Sequence, residues 1–385
     1  MVEPGAARLR VCVVTELSGG VGVYAKNLLN GLVAQGAEVT LVTPHPDSAP
    51  AVDRVVPVRA HRGRGRFVAQ AWSFASALRG EQGAFDLVHV IDARYSLFMR
   101  GLDAPVVGTM NDYFYAITGW FSPVGTKAVY EDWRLRHVYY NLTRLLERHA
   151  FRRLDGLLCI AHEVKDTLVR RYRLDPRRLV VVPYGIDYGP TDVEPRRSGR
   201  PTVVFAGGNF QRKGLGVLID AAPAILREVP DLEVVVIGSS RDEALMKKRV
   251  RERGLTSTFT FVGQVSYRDL YSYYMGADVF AMPSLLEAFG IPFLEGMHCG
   301  VPVVASDSPG PTDYLRDGEN CLMPARGDVD GLARAILAAL RDDALRARLI
   351  ENGRATAAGA TVEKMVSRTV EAYRTILALA DRPKR

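Results

Sequence analysis

The stretch that decides the reading of this chain is Pro283-Ser284-Leu285-Leu286-Glu287-Ala288-Phe289-Gly290-Ile291-Pro292-Phe293-Leu294-Glu295-Gly296-Met297. Two carboxylates, Glu287 and Glu295, flank a Phe-Gly-Ile-Pro turn. The apolar Phe280-Ala281-Met282 before them reads as the end of a buried strand. Pro292 suits the first turn of a helix, where its missing N–H costs nothing. That helix should end near Cys299, with Gly300 in the left-handed position after it. Glu287 then sits on the loop leaving a strand, and Glu295 in the first turn of the following helix. The backbone amides between them form an anion site. A carboxylate, a nest of amides and a second carboxylate can grip a molecule with hydroxyls at both ends and phosphate in the middle. A nucleotide sugar has that layout.

At 385 residues the chain exceeds one ordinary core, and two domains of about 150–200 residues are expected. An apolar fraction of 48% with 24% charged residues excludes extended disorder. Cys12, Cys159, Cys299 and Cys321 show no paired spacing and read as reduced thiols of a cytosolic protein. No apolar run is long enough to span a membrane, and the N-terminus lacks the apolar core of a signal peptide. The formal net charge is +7, and the excess lies mainly between Arg134 and Arg178. Such a surface can attract phosphorylated acceptors, anionic lipid or nucleic acid, or serve as an ordinary solvated face.

Working backwards, the first half alternates strand and helix signals. Val11–Glu16 is a buried strand, followed by Ser18-Gly19-Gly20-Val21-Gly22 and a helix to about Gln35. Strand, glycine turn and helix together cradle phosphate, because Gly20 and Gly22 let the backbone approach it. The same glycines fit the fingerprint of NAD enzymes. That fingerprint requires an acidic residue at the end of the second strand, and Glu38–Pro44 ends in Thr43-Pro44 instead. Strands at Leu87–Asp92 and Pro105–Thr109 place His89, Asp92, Asn111 and Asp112 at carboxyl ends, where ligands of a doubly wound parallel sheet bind. His89 is thus a candidate for acid/base or hydroxyl-binding work, or a structural hydrogen-bonder.

Asp112–Phe151 interleaves aromatics (Tyr113, Trp120, Trp133, Tyr140) with arginines (Arg134, Arg136, Arg144, Arg148). Such a segment can meet bases, sugars or a bilayer surface, or be a long helix that packs aromatics inward and arginines outward; its functional version is an acceptor or lid element that stacks on sugar rings. Thr191–Arg200, rich in Pro, Arg and Ser, reads as the interdomain linker.

The pattern restarts after it. A strand at Thr202–Ala206 leads through Gly207-Gly208-Asn209 to Arg212-Lys213-Gly214 and a helix. Arg212 and Lys213 beside a glycine turn can neutralise a diphosphate without metal. Asp328-Val329-Asp330 has the look of a metal site but precedes a helix, where acidic residues cap amides. A last helix, Val362–Ala380, is long enough to return to the first domain. These signals give an α/β fold with domains at 1–190 and 191–361, the helix 362–385 crossing back to the first.

At this point the residues match a family. Glu287-Ala-Phe-Gly-Ile-Pro-Phe-Leu-Glu295 resembles the Glu-x7-Glu motif of retaining glycosyltransferase family 4. Gly19–Gly22, Pro183-Tyr184-Gly185-Ile186-Asp187 and Lys213-Gly214 look like further landmarks in the same order. The resemblance implies the GT-B fold, two Rossmann-like domains facing each other across a cleft. It implies a nucleotide-sugar donor of UDP or GDP type held by the second domain, with Glu295 on the ribose hydroxyls and Glu287 on the sugar. Phe289, Gly290 and Ile291 would offer backbone amides, and Lys213 with Arg212, Gly20 and Gly22 would meet the diphosphate.

It further implies metal-independent, front-face transfer with no cofactor. The acceptor stays open among small molecules, lipid-linked compounds and glycans, with peripheral contact to an anionic membrane and no nucleic acid expected. Two departures stand out: Asn111 occupies the place of the family's usual His, and Arg212 that of an Arg near Gly208. The alternatives are an epimerase or hydrolase of the same fold, or a non-catalytic sugar-nucleotide-binding subunit.

Overall fold

The computed structural model describes residues 8–17, 19–62, 66–81, 83–111 and 144–380. The chain divides into two compact units, Met1–Gly185 with Thr361–Arg385, and Ile186–Ala360. Most of the aromatic–arginine segment, residues 112–143, lies outside the described residues.

The first unit is built on a seven-stranded parallel sheet. Its strands are β1 (Arg10–Val14), β2 (Glu38–Thr43), β3 (Arg54–Pro57), β4 (Leu87–Val90), β5 (Val106–Met110), β6 (Gly156–Cys159) and β7 (Leu179–Val181). Their order is β3-β2-β1-β4-β5-β6-β7. The runs Val11–Val14 and Leu87–Val90 are buried along their whole length, as expected of strands covered on both faces. The order reverses at β1 and β4, and that switch point is where a doubly wound sheet opens a ligand crevice.

The C-terminal helix Val362–Ala380 belongs to this unit. It packs so closely that a Cβ on Gly31 would lie 2.3 Å from Val366, and one on Gly156 2.3 Å from Ile376. These two glycines let the helix dock.

The second unit repeats the plan with β8 (Thr202–Ala206), β9 (Glu233–Ile237), β10 (Phe259–Gly263), β11 (Val279–Ala281) and β12 (Val303–Val304). The order β10-β9-β8-β11-β12 puts its switch point between β8 and β11. The loops leaving those two strands carry Arg212-Lys213 and Glu287.

One expectation changes. The supposed linker is part of the second unit, which begins at Ile186. Val193 is buried, Arg196 N–H donates to the Ser272 carbonyl at 2.9 Å, and the Arg196 guanidinium lies 4.8 Å above the Tyr273 ring. Pro and Arg composition signalled exposure, but Val193 is buried and Arg196 finds partners on the helix Tyr267–Gly276. Asp328 caps the helix Val329–Arg341, accepting from Gly331 N–H at 2.8 Å. All four cysteines are buried and unpaired. No helix among the described residues is long and apolar enough to cross a membrane.

Candidate active site

The site in the second unit is assembled from three loops at the β8/β11 switch point. After β8 the chain turns through Gly207-Gly208-Asn209 and reaches Lys213, then enters the helix Leu215–Leu226 behind Gly214. Gly214 is left-handed at φ +79°, and a Cβ there would lie 1.8 Å from the Pro283 carbonyl. No other residue lets this loop meet the one leaving β11. The two loops are tied by Leu285 N–H donating to the Arg212 carbonyl at 2.8 Å.

Lys213 and Glu287 meet as a salt bridge, 7% and 5% exposed. The second Glu287 oxygen accepts from Ala288 N–H at 3.1 Å. Burial alone pushes the Glu287 carboxyl up; the charge of Lys213, then that of Arg212, outweighs it, and the net pKa is lowered. Glu287 is therefore ionised at neutral pH. An ammonium has three N–H donors, and Glu287 takes one of them. The others can reach an anion.

Beyond Glu287 the turn is fixed from behind. Tyr314 Oη donates to the carbonyls of Phe289 and Gly290 at 2.7 and 2.8 Å. Gly310 N–H donates to the Glu287 carbonyl at 3.1 Å. Gly290, at φ +87°, precedes the helix Ile291–His298. With the carbonyls held by Tyr314, the N–H groups of Gly290 and Ile291 are left without a partner among the described residues. They stand at the positive end of that helix, on the same turn as Glu287. Gly300 closes the helix at φ +74°.

Glu295 lies one turn further into the helix than the sequence suggested, since the first turn holds no acidic residue. It is 7% exposed. Tyr274 Oη donates to its Oε2 at 3.2 Å. Burial pushes its carboxyl up to about 7, opposed by hydrogen bonds from Tyr274 and Tyr267 and by the Lys213 charge. Tyr267, Tyr271 and Tyr274 line one face of a single helix. Sequence reading missed these tyrosines and Tyr314; the Tyr-x3-Tyr-x2-Tyr spacing was the available signal.

So the second unit brings Arg212, Lys213, Glu287, Phe289, Gly290, Ile291 and Glu295 together. Gly20, Gly22, His89 and Asn111 belong to the first unit. There, Gly20 lies in the opening turn of the helix Gly19–Ala34. Gly22 sits against Leu17, whose carbonyl carbon would be 2.5 Å from a Cβ. The glycine permits a tight turn off β1.

His89 is corrected to a structural residue. It is fully buried, with Nδ1 bonded to Tyr373 Oη and Nε2 to Thr109 Oγ1, each at 2.6 Å. Burial lowers its pKa to about 3, so it stays neutral and pins the C-terminal helix to the sheet. Asn111 is half-buried just after β5. Its Nδ2 donates to the Ile91 carbonyl at 2.5 Å, and its Oδ1 accepts from Tyr184 Oη at 2.8 Å.

Comparison with known proteins matches both halves of the chain. The model of "Glycosyltransferase Family 4" matches residues 18–189, and that of "Glycosyl transferases group 1" matches residues 191–356. The phosphatidyl-myo-inositol mannosyltransferase of Mycobacterium leprae is 36% identical over 195 residues, 48% of this chain and 51% of that protein. This alignment thus spans about half the relative's length. That of Mycolicibacterium smegmatis is 29% identical over 356 residues, 86% of this chain and 84% of that one. Anabaena HepE, solved with UDP and glucose, superposes with a TM-score of 0.72 at 15% identity, covering 96% of this chain and 100% of its own. With both halves matched in order and each unit a Rossmann-like parallel-sheet domain, the chain belongs to glycosyltransferase family 4 and has the GT-B fold.

Proposed function

We propose that this glycosyltransferase moves a hexose from a nucleoside diphosphate sugar to an acceptor hydroxyl, with retention of configuration and without a metal ion. The observation that carries the reading is the buried Lys213–Glu287 pair beside the unpartnered amides of Gly290 and Ile291. A diphosphate meets fixed positive potential there from the two free N–H groups of Lys213, the nearby Arg212 and the helix N-terminus. These charges neutralise a leaving phosphate without a cation from solution, as electrostatic preorganisation requires.

Glu287, ionised and fixed by Lys213 and Ala288 N–H, accepts from donor-sugar hydroxyls and orients the ring. Glu295 accepts from the vicinal hydroxyls of the ribose. The leaving phosphate takes part in deprotonating the acceptor. Residues thus position and stabilise rather than react covalently.

The UDP complex of HepE and the mannosyltransferase names of the relatives support a nucleotide-sugar donor. A lipid-linked acceptor at a membrane surface fits the phosphatidylinositol named for those relatives. The test is incubation with UDP-, GDP- and ADP-sugars in the presence of EDTA. Donor cleavage that persists in chelator is expected. Cleavage that is abolished by EDTA and restored by a divalent cation contradicts the metal-free reading.

A further inference from the structure

The carboxylate of Glu295 is served by neutral donors. Tyr274 is fully buried and donates to Oε2 at 3.2 Å. Tyr267, on the same helix face, brings a second hydroxyl near the carboxylate but donates its proton to the Asp187 carbonyl at 3.0 Å. Tyr271, also fully buried, lies 3.2 Å from Tyr267 oxygen to oxygen. Tyr188 stacks on His298 at 4.3 Å and closes another side. Cys299 is the remaining titratable neighbour on the carboxylate's own helix. Among the described residues Glu295 forms no ion pair, and Lys213, whose charge reaches it, is paired with Glu287. A buried carboxylate with phenol donors and no partner cation ionises reluctantly. An ionised carboxylate has about four lone-pair sites, so Tyr274 leaves room for more donors.

We propose that Tyr274 is the positioning residue of Glu295, and that the vicinal hydroxyls of a nucleoside diphosphate complete its shell and drive it to ionise. This rests on the assignment of Glu295 to the ribose. The proton leaves the carboxyl for bulk buffer as the two ribose hydroxyls donate to the oxygens it vacates. Binding is thereby coupled to release of one proton wherever free Glu295 is protonated. The direction of its pKa shift, raised by burial to about 7, puts that range within reach of ordinary buffers. Glu287 contributes no such release, because Lys213 keeps it ionised.

Two measurements test this. In ligand-free protein, the stability difference between wild type and Glu295→Gln against pH reports the carboxyl's own titration. Repeated in a Tyr274→Phe background, its midpoint should rise by about one pH unit, the value of one lost hydrogen bond. An unchanged midpoint overturns the role of Tyr274, whatever ligand the protein takes. Calorimetry with UDP, GDP and ADP in buffers of different ionisation enthalpy then counts protons. Whichever diphosphate binds should release most of one proton more than its 2′-deoxy analogue at pH 6, where the terminal phosphate, with its second pKa of about 6, contributes alike to both, and almost no more than the analogue at pH 8.5. The analogue should bind about 10-fold or more weakly.

Equal release by both sugars overturns the coupling. Failure of all three diphosphates to bind also overturns it, together with the proposed function, while the ligand-free titration still decides Tyr274.

Discussion

Removing Lys213 alone should damage the second unit more than removing both members of its pair. In Lys213→Met, Glu287 keeps its buried place without its cation, and breaking a buried pair from one side costs about 3–5 kcal/mol. In Lys213→Met/Glu287→Gln no charge is stranded, so most of that loss should return. Because the folded pKa of Glu287 lies below its ordinary value of 4.5, the pair stabilises fully above that value. Its contribution is lost as the pH falls through the lower, folded pKa. The penalty of the single variant should therefore shrink on acidification.

Trp72, Trp120 and Trp133 all precede Gly185, so tryptophan fluorescence reports the other unit. Hydrogen exchange of β8 and β11 amides is the suitable readout. A single variant that loses less than about 1 kcal/mol, or a double variant as damaged as the sum of the singles, refutes a tightly coupled pair. Both variants should lose donor cleavage, since the ammonium is absent from each.

Other outcomes follow from the same geometry. Gly214→Ala places a methyl against the Pro283 carbonyl at a positive φ, and should destabilise the unit by at least about 2 kcal/mol and displace Lys213, read by exchange and cleavage. Tyr314→Phe frees the carbonyls of Phe289 and Gly290, and should lower kcat about 10-fold with little change in global stability. His89→Leu strands the hydroxyls of Tyr373 and Thr109 at a cost of about 1–3 kcal/mol in a urea melt followed by tryptophan fluorescence. Its pH–rate profile between 6 and 8 should match wild type, because His89 is neutral throughout that range.

The elements that carry the site were legible because their signals are local. Apolar runs ending at glycine loops located β1, β8 and β11, and Pro292 with Gly300 bracketed the helix between them. Glu287, Lys213 and Glu295 could be named from pattern alone. What stayed hidden depends on long-range partners. The acidic oxygens of Glu287 look the same in sequence whether solvated or paired 74 positions away with Lys213.

His89 resembled a strand-end catalyst until Tyr373, 284 residues on, took one of its nitrogens. The segment Thr191–Arg200 has the composition of a linker, yet Val193 is buried and Arg196 finds a helix to pack on. The phenols around Glu295 read as an ordinary aromatic helix face, because nothing in the spacing reveals which carboxylate they meet. Asn111 shows the opposite case: a departure visible in sequence whose consequence, an amide held by Ile91 and Tyr184, only the structure displays.

The most direct test of the central claim is the configuration of the first-formed product. An α-linked nucleotide hexose identified by the cleavage panel is turned over with an acceptor, and the new anomeric proton is followed by NMR before mutarotation or hydrolysis intervenes. Retention predicts an α linkage from the α donor, lost in Glu287→Ala. A β linkage as the first product contradicts the account.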